Sequence, residues 1–402
     1  MPSRSRRLHF VVPTALLLGA ACAPRPARPT APSGHGVTAA QARAVADSVQ
    51  AVLDRAVADG AFPGAFAVVG TGDGVVAEYG AGRLDATDAR RPDRTTVWDL
   101  ASLTKVVGTT SALLQLVGDG RVALDTPVVR YLPAWQAAGA SRVTVRQLLT
   151  HSSGLPAWRA LYKEAATADE ALRHVYATGP DTLPGVRYLY SDLGFILLGQ
   201  LVEQVAGMPL AAYDSARVFA PLGMRDTRYR PPTSWRRRIA PTEMDPWRQR
   251  QVRGEVHDEN AFRLDGVAGH AGLFSSGRDL SRLAQLYLRH GVLDGVRLFD
   301  SATVATFTQA QDPARSHRAL GWETPTTGNS AGRRLSPRAF GHTGFTGTSL
   351  WMDPGRNLYL LLLSNRVNPT RENRKIGAVR TALADAVVGA LEGAGRVAPP
   401  EP

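Results

Sequence analysis

Apolar positions along this chain recur with two periods, and the switches between them mark out its elements. Behind Thr38, a residue able to cap a helix, Ala42, Val45, Val49, Val52, Leu53 and Val57 fall on one helical face. Two short β-rich runs follow, Ala65 to Val69 and Val75 to Tyr79, and the intervening Gly70-Thr71-Gly72-Asp73-Gly74 is a hairpin signal. Helical patterns dominate from Leu103 to about Val218. Near the other end, Ser349 to Met352 and Leu358 to Leu363 read as strands joined through Asp353-Pro354-Gly355-Arg356-Asn357. A last helix is expected from about Glu372 to Leu391, with Ile376, Val379, Leu383, Val387 and Leu391 inward. Strands at both ends with helices between them predict an α/β (α+β) fold. Its antiparallel sheet is flanked by the terminal helices and interrupted by a large, mostly helical insertion. The expected sheet lobe takes residues 38–100 and 262–392, and the helical lobe 103–261. Two lobes sharing one site would accommodate a chain longer than one ordinary domain. No internal repeat stands out, and no interior stretch is long and apolar enough to span a membrane.

The N-terminus adds an address. Arg4, Arg6 and Arg7 precede an apolar core from Phe10 to Leu18 and then small residues, so residues 1–21 read as a secretory signal. Cys22, the only cysteine, falls where a bacterial lipoprotein carries its acylated residue, the alternative being removal with the signal. One cysteine allows no internal disulfide and no cysteine-based metal site. Residues 22–37 are rich in Pro, Ala and Ser and read as an extended tether, on the order of 45 Å long at polyproline rise. Residues 393–402 read as an unstructured tail. Membrane contact is therefore expected only through a lipid on Cys22. The formal charge is +12, but it is arginine spread along the chain, densest at Arg236-Arg237-Arg238. No nucleic-acid motif accompanies it, so a nucleic-acid partner is not expected.

Candidate chemistry begins at Ser102-Leu103-Thr104-Lys105, which opens an apolar helical pattern (Val106, Val107, Leu113, Leu114, Leu116, Val117). Positions i and i+3 of a helix share a face, so the hydroxyl and the amine can meet. Serine becomes a useful nucleophile only beside a base. Lysine is such a base only if its pKa falls from about 10.4. Alone, the spacing is equally that of a capping serine with an exposed lysine one turn on. Downstream, however, stand Tyr188-Leu189-Tyr190-Ser191-Asp192 and, opening a strand, Phe340-Gly341-His342-Thr343-Gly344-Phe345.

Ser-x-x-Lys, then a Tyr-x-Asn-like triplet, then His-Thr-Gly, in that order, resembles the penicillin-recognising serine hydrolases. These are class C β-lactamases, D-alanyl-D-alanine carboxypeptidases and esterases of the same fold. Leu148 to Pro156, Phe219 to Met224 and Gly269 to Phe274 also look like segments of that family, and the resemblance covers roughly residues 38–392. The Gly254-Glu255-Val256-His257-Asp258 and Gly269-His270-Ala271-Gly272 stretches look most like its carboxypeptidase-like penicillin-binding proteins. The resemblance implies a β-lactamase/transpeptidase-like fold and an acyl-enzyme on Ser102. Lys105 and Tyr190 would share a proton network with it, either serving as base, with Tyr188 the weaker candidate for the tyrosine. The oxyanion would lie between the backbone N–H groups of Ser102 and Phe345. Thr343 and Gly344 would line an edge strand that receives the substrate, Gly344 because a side chain would block that approach.

Two departures modify this picture. His342 stands where many relatives carry lysine, and a partly charged imidazole would hold a substrate carboxylate less firmly. Asp192 replaces the usual asparagine as a substrate-binding residue and adds a negative charge that would raise the Lys105 pKa. The His257-Asp258-Glu259 and His270 segments fit the family but suggest no role. A zinc site on His257, Asp258 and His270 is disfavoured, because no His-Glu-x-x-His or cysteine ligand accompanies them. Gly347-Thr348-Ser349-Leu350-Trp351 fails the nucleophile-elbow pattern at its last position, which argues against an α/β-hydrolase. The expectation is an exported, cofactor-free serine hydrolase of the cell envelope or periplasm. Its substrate would be a small peptide or ester, foremost a D-alanyl-D-alanine-type cell-wall peptide. Esterase or weak β-lactamase action are the alternatives within the fold, and a non-catalytic binder of wall peptides the alternative outside catalysis.

Overall fold

A computed structural model describes residues 36–394 of the protein. The signal segment, Cys22, all but the end of the tether, and residues 395–402 lie outside the described residues. In chain order the elements that frame the site are α1 (Ala39–Ala58), β1 (Gly64–Thr71), β2 (Gly74–Gly82), β3 (Val97–Asp99) and α2 (Thr110–Gly118). There follow α3 (Val145–Leu149), α4 (Asp192–Ala206), β4 (Arg228–Tyr229), β5 (Leu273–Ser276) and α5 (Gly277–Leu288). The chain closes with β6 (Phe340–Thr343), β7 (Ser349–Asp353), β8 (Leu358–Ser364) and α6 (Ile376–Gly393). The main sheet has the order β6-β7-β8-β1-β2, and every neighbouring pair is antiparallel.

The strand period of two sorts side chains onto the two faces of this sheet. Ala65, Ala67 and Val69 of β1, Trp351 of β7 and Leu358, Leu360 and Leu362 of β8 pack with Val45, Val49 and Leu53 of α1 and Val379, Leu383 and Val387 of α6. The intervening Phe66, Val68, Leu350, Met352, Leu361 and Leu363 face the opposite way, onto α5 and the core of the helical region. Thr38 caps α1 reciprocally with Gln41, as its sequence position suggests. The expected hairpin is present with Gly72-Asp73 as its two-residue loop.

Three expectations need adjustment. The last helix begins at Ile376 rather than Glu372, because the preceding residues are used in tertiary contacts. Arg371 pairs with Glu243 and Glu259, and the Asn373 amide donates to the carbonyls of Gly60 and Ala61 at 2.9 and 3.1 Å. The same helix runs through Gly393, where the tail was expected to begin. The helical insertion is a set of short helices parted by proline-bearing loops, and it contributes β4 to a second sheet of order β3-β5-β4. Since β3 and β5 lie at the two edges of the insertion, this small sheet ties its entry to its exit. It also sets the position of the residues that immediately follow Asp99.

Packing between α5 and the sheet leaves no room at Gly277, where an added Cβ would meet the buried Phe66 ring at 2.6 Å. We predict that Gly277→Ala costs about 1–3 kcal/mol by overpacking. Urea unfolding measures it, and an unchanged midpoint would show that the ring yields freely.

Candidate active site

Ser102 lies in a single 3₁₀ turn, Ala101–Leu103, directly after β3, and Lys105 opens a π-helical turn, Lys105–Thr109, that runs into α2. The turn is held open by a fully buried carboxylate. Asp99 accepts the Ala101 N–H at 2.8 Å on one oxygen and the His257 N–H at 2.6 Å on the other. Ala101 pays for this with φ of +46°, a left-handed conformation that alanine rarely adopts. From the sheet side, Thr346 donates to the carbonyl of Asp99 at 2.7 Å and Thr348 to that of Leu100 at 3.0 Å. The loop carrying Phe345 is thereby stitched to the backbone next to Ser102.

Lys105 is completely buried, and three oxygens lie within 3.1 Å of its Nζ. Its Nζ lies 3.0 Å from Ser102 Oγ, 3.1 Å from the His270 carbonyl and 2.7 Å from Asp192 Oδ1. Burial pulls the lysine pKa down, but its neighbours, the Asp192 carboxylate first and then Tyr190, outweigh it and hold Lys105 above its ordinary value. The ammonium sits 4.9 Å from the centre of the Tyr190 ring. Burial raises the Tyr190 pKa, opposed by the Lys105 charge and by hydrogen bonding with Lys105 and Ser102, and the net shift is upward. Ser102, Lys105, Tyr190 and Asp192 thus meet, and Tyr190 rather than Tyr188 is the tyrosine at the centre. The Tyr188 hydroxyl instead receives Arg318 Nη2 at 2.8 Å. Ser191 caps α4 and delivers Asp192 into its first turn. His151 accepts the Ser191 N–H at 3.0 Å and packs its ring 4.4 Å from that of Tyr190. Its ring therefore braces the tyrosine itself.

Two assignments are corrected. His342 is only 2% exposed and its Nδ1 donates to the Thr343 carbonyl at 2.8 Å. Burial and the nearby Arg318 and Lys105 charges push its pKa well below the ordinary histidine value. That direction favours the neutral imidazole and disfavours His342 as the cation for a substrate carboxylate. The second correction concerns Gly344. An added Cβ there would meet Thr348 Oγ1 at 2.1 Å and the Leu100 carbonyl at 2.4 Å, so its smallness serves the closure of the Phe345 loop over the Ser102 turn. Thr343, half-buried, ends the edge strand β6 as expected.

Several residues with no assignable role in the sequence belong here. Arg318 is 8% exposed, pairs with Glu323 at 3.0 Å and stands 5.5 Å from the centre of the Tyr190 ring. Arg380 of α6 reaches the carbonyls of Gly344 and Thr348, each at 2.7 Å, and burial with the Arg366 charge pushes its pKa down to about 10. His257 does not join His270. It bonds Glu243 at 2.8 Å and stacks on Phe345, whose ring is 48% exposed. His270 instead pairs with Asp258 at 2.9 Å, and their ligand atoms and those of Asp192 lie within 4.8 Å of one another. That cluster has the donor types of a metal site, but the Lys105 ammonium already brings a positive charge against it.

Comparison with known proteins agrees with this geometry. A family model described as Beta-lactamase matches residues 49–384. The chain belongs to the beta-lactamase family. Within it, an N-acetylmuramyl-L-alanine amidase of Bacillus subtilis (strain 168) is 34% identical over 79% of this chain and 80% of its own length. A Salmonella typhi protein named as a candidate D-alanyl-D-alanine carboxypeptidase is 32% identical over 71% of this chain and 73% of its own. Among solved structures, a penicillin-binding protein homolog from Caulobacter crescentus superposes with a TM-score of 0.71 at 21% identity, covering 86% of this chain and 97% of that one. The hydrolase EstCE1, described as having promiscuous acyltransferase activity, gives 0.72 at 22% identity over 87% and 99%. The protein is a serine hydrolase of the β-lactamase fold, and its sheet-and-helix architecture is that of these neighbours.

The buried pair in this beta-lactamase-family site predicts a pH signature. In the parent, the raised Lys105 pKa gives a stabilisation fully present below about pH 10.4 and lost as pH climbs through the folded value. Asp192→Asn leaves a buried ammonium with burial unopposed by that charge and should cost about 3–5 kcal/mol at pH 7. Its stability should then rise with pH toward about 10.4. Denaturant melts at pH 7 and 9.5 compare the two; parallel pH profiles would show that Asp192 does not hold the lysine charged.

Proposed function

We propose that this serine hydrolase forms an acyl-enzyme on Ser102 and acts on D-alanyl-D-alanine-type peptides of the cell wall. The observation that carries the chemistry is the 3.0 Å contact of Ser102 Oγ with a buried lysine that the Asp192 carboxylate, 2.7 Å away, keeps charged. An ammonium in that state is no base. A neutral Tyr190 therefore accepts the Ser102 proton while passing its own to the departing group, and Lys105 stabilises the charge that builds on the phenolic oxygen. The new oxyanion is met by the Ser102 and Phe345 N–H groups, and the substrate backbone lies along the β6 edge at Thr343. The wall-peptide substrate is supported by the names of the amidase and carboxypeptidase relatives. The export signal and Cys22 favour an envelope location, lipid-anchored outside the cytoplasm. In place of His342, Arg318 is the cation for a substrate carboxylate, since it stands beside Tyr190 with Nη1 unpartnered among the described residues.

A fluorescent penicillin incubated with the protein should leave a stable label on the parent and none on Ser102→Ala. Intact drug with neither protein labelled would remove the acyl-enzyme reading. Arg318→Gln should lower kcat/KM for a D-alanyl-D-alanine peptide at least about tenfold, the loss of a charged hydrogen-bond partner. Hydrolysis of p-nitrophenyl butyrate, a neutral ester, should stay within about threefold of the parent. Equal loss on both substrates would favour the esterase reading, to which the neutral His342 lends its support.

A further inference from the structure

The acyl-enzyme reading leaves one requirement unmet, a group that places the water which cleaves the Ser102 ester. The proton network around Lys105 is already full. Its neighbour, the Asp258–His270 pair, is not. His270 is 1% exposed and touches the centre twice, donating from Nε2 to Asp258 Oδ1 at 2.9 Å and accepting Lys105 Nζ on its carbonyl at 3.1 Å. Asp258 Oδ1 also accepts the Ala261 N–H at 2.7 Å as the cap of a short helix. Both of these hydrogen bonds fall on Oδ1, none to Oδ2 is found among the described residues, and the side chain is one-quarter exposed. Asp192, whose ligand atom lies within 4.8 Å of those of the pair, is already spent on Lys105.

We propose that the Asp258–His270 pair positions the hydrolytic water of the deacylation step. The inference rests on the acyl-enzyme reading. The water oxygen bonds to the acyl carbon as the bond from that carbon to Ser102 Oγ breaks. The water proton passes to the Tyr190 oxygen while Tyr190 gives its own proton to Ser102 Oγ, which regenerates the serine and releases the free acid. Asp258 acts as an anion that accepts the second water proton in a hydrogen bond. Burial raises its pKa, but His270, the Ala261 N–H and Lys105 hold the carboxyl well below the usual range, which suits an acceptor and not a base. His270 fixes the carboxylate in place, as orienting partners do in other sites.

The test separates acylation from deacylation. Asp258→Asn keeps an N-capping residue, and His270→Gln keeps a side-chain amide donor. With p-nitrophenyl acetate, Asp258→Asn should acetylate Ser102 within about threefold of the parental rate. It should then turn over about 100-fold more slowly, the span expected for a lost positioning group near the transition state. Intact-protein mass spectrometry should show the accumulated acetyl-enzyme, and added hydroxylamine should restore turnover by supplying its own nucleophile. His270→Gln should show the same partition with a smaller, about tenfold, loss. Parental turnover in Asp258→Asn, or an equal fall in both steps with no rescue by hydroxylamine, overturns the proposal. A parent that never acquires a Ser102-dependent acetyl group overturns the acyl-enzyme reading itself, and is seen before either variant is examined.

Discussion

The buried ammonium of Lys105 is the constraint around which the rest of the site is arranged. A lone charge taken out of water costs several kcal/mol even after relaxation, and here no part of the side chain reaches solvent. The compensation comes from three distant stretches of chain. The turn after β3 brings Ser102, the first turn of α4 brings Asp192, and the loop before β5 brings the His270 carbonyl. Moving any one of the three takes an oxygen away from the ammonium. The small β3-β5-β4 sheet gains a purpose from this, since it fixes the first and last of those stretches side by side.

Positive charge is dense here, and the neutral groups follow from it. Lys105, Arg318 and Arg380 all bear on His342, so that imidazole is better off uncharged. Burial first, then Arg318 and Lys105, depress both His151 and His342. His151 accordingly works as an acceptor for the Ser191 N–H, a task that only an unprotonated nitrogen can perform. A histidine in the Thr-Gly segment thus differs from a lysine in kind, because the fold removes the charge that a lysine would retain.

How much of this could be read from the sequence depends on whether a contact is local. Ser102 and Lys105 are one turn apart, and Tyr190 with Asp192 sits at a cap, so short motifs sufficed for the nucleophile, the lysine and the tyrosine. The strands of the main sheet were legible because their flanking turns carry glycine, proline and aspartate, and those of the small second sheet were not. Asp99, Arg318 and Arg380 were not. Each acts through a backbone group or ring far away in the chain, and nothing in the surrounding residues marks an arginine that will be buried. The start of α6 failed for a related reason, since Arg371 and Asn373 serve contacts with distant segments rather than the helix. Asp258 and His270 stood out in the sequence, but their pairing across twelve residues is a property of the stretch between β4 and β5.

The strain at Ala101 is the place where fold and chemistry are hardest to separate. A left-handed alanine costs of order 1–3 kcal/mol, and glycine would relieve it. Relief would also free the backbone on which the Ser102 N–H is aimed. Asp99 holds the turn from below through the Ala101 N–H, and Thr346 and Thr348 hold it from the sheet. The same Asp99 carboxylate grips the His257 N–H, one residue before Asp258. A single buried anion therefore couples the nucleophile turn to the segment that carries the proposed water-positioning carboxylate. Burial raises the Asp99 pKa, and those two N–H groups favour its charged form. The turn that carries Ser102 and the segment that carries Asp258 then share one main-chain support.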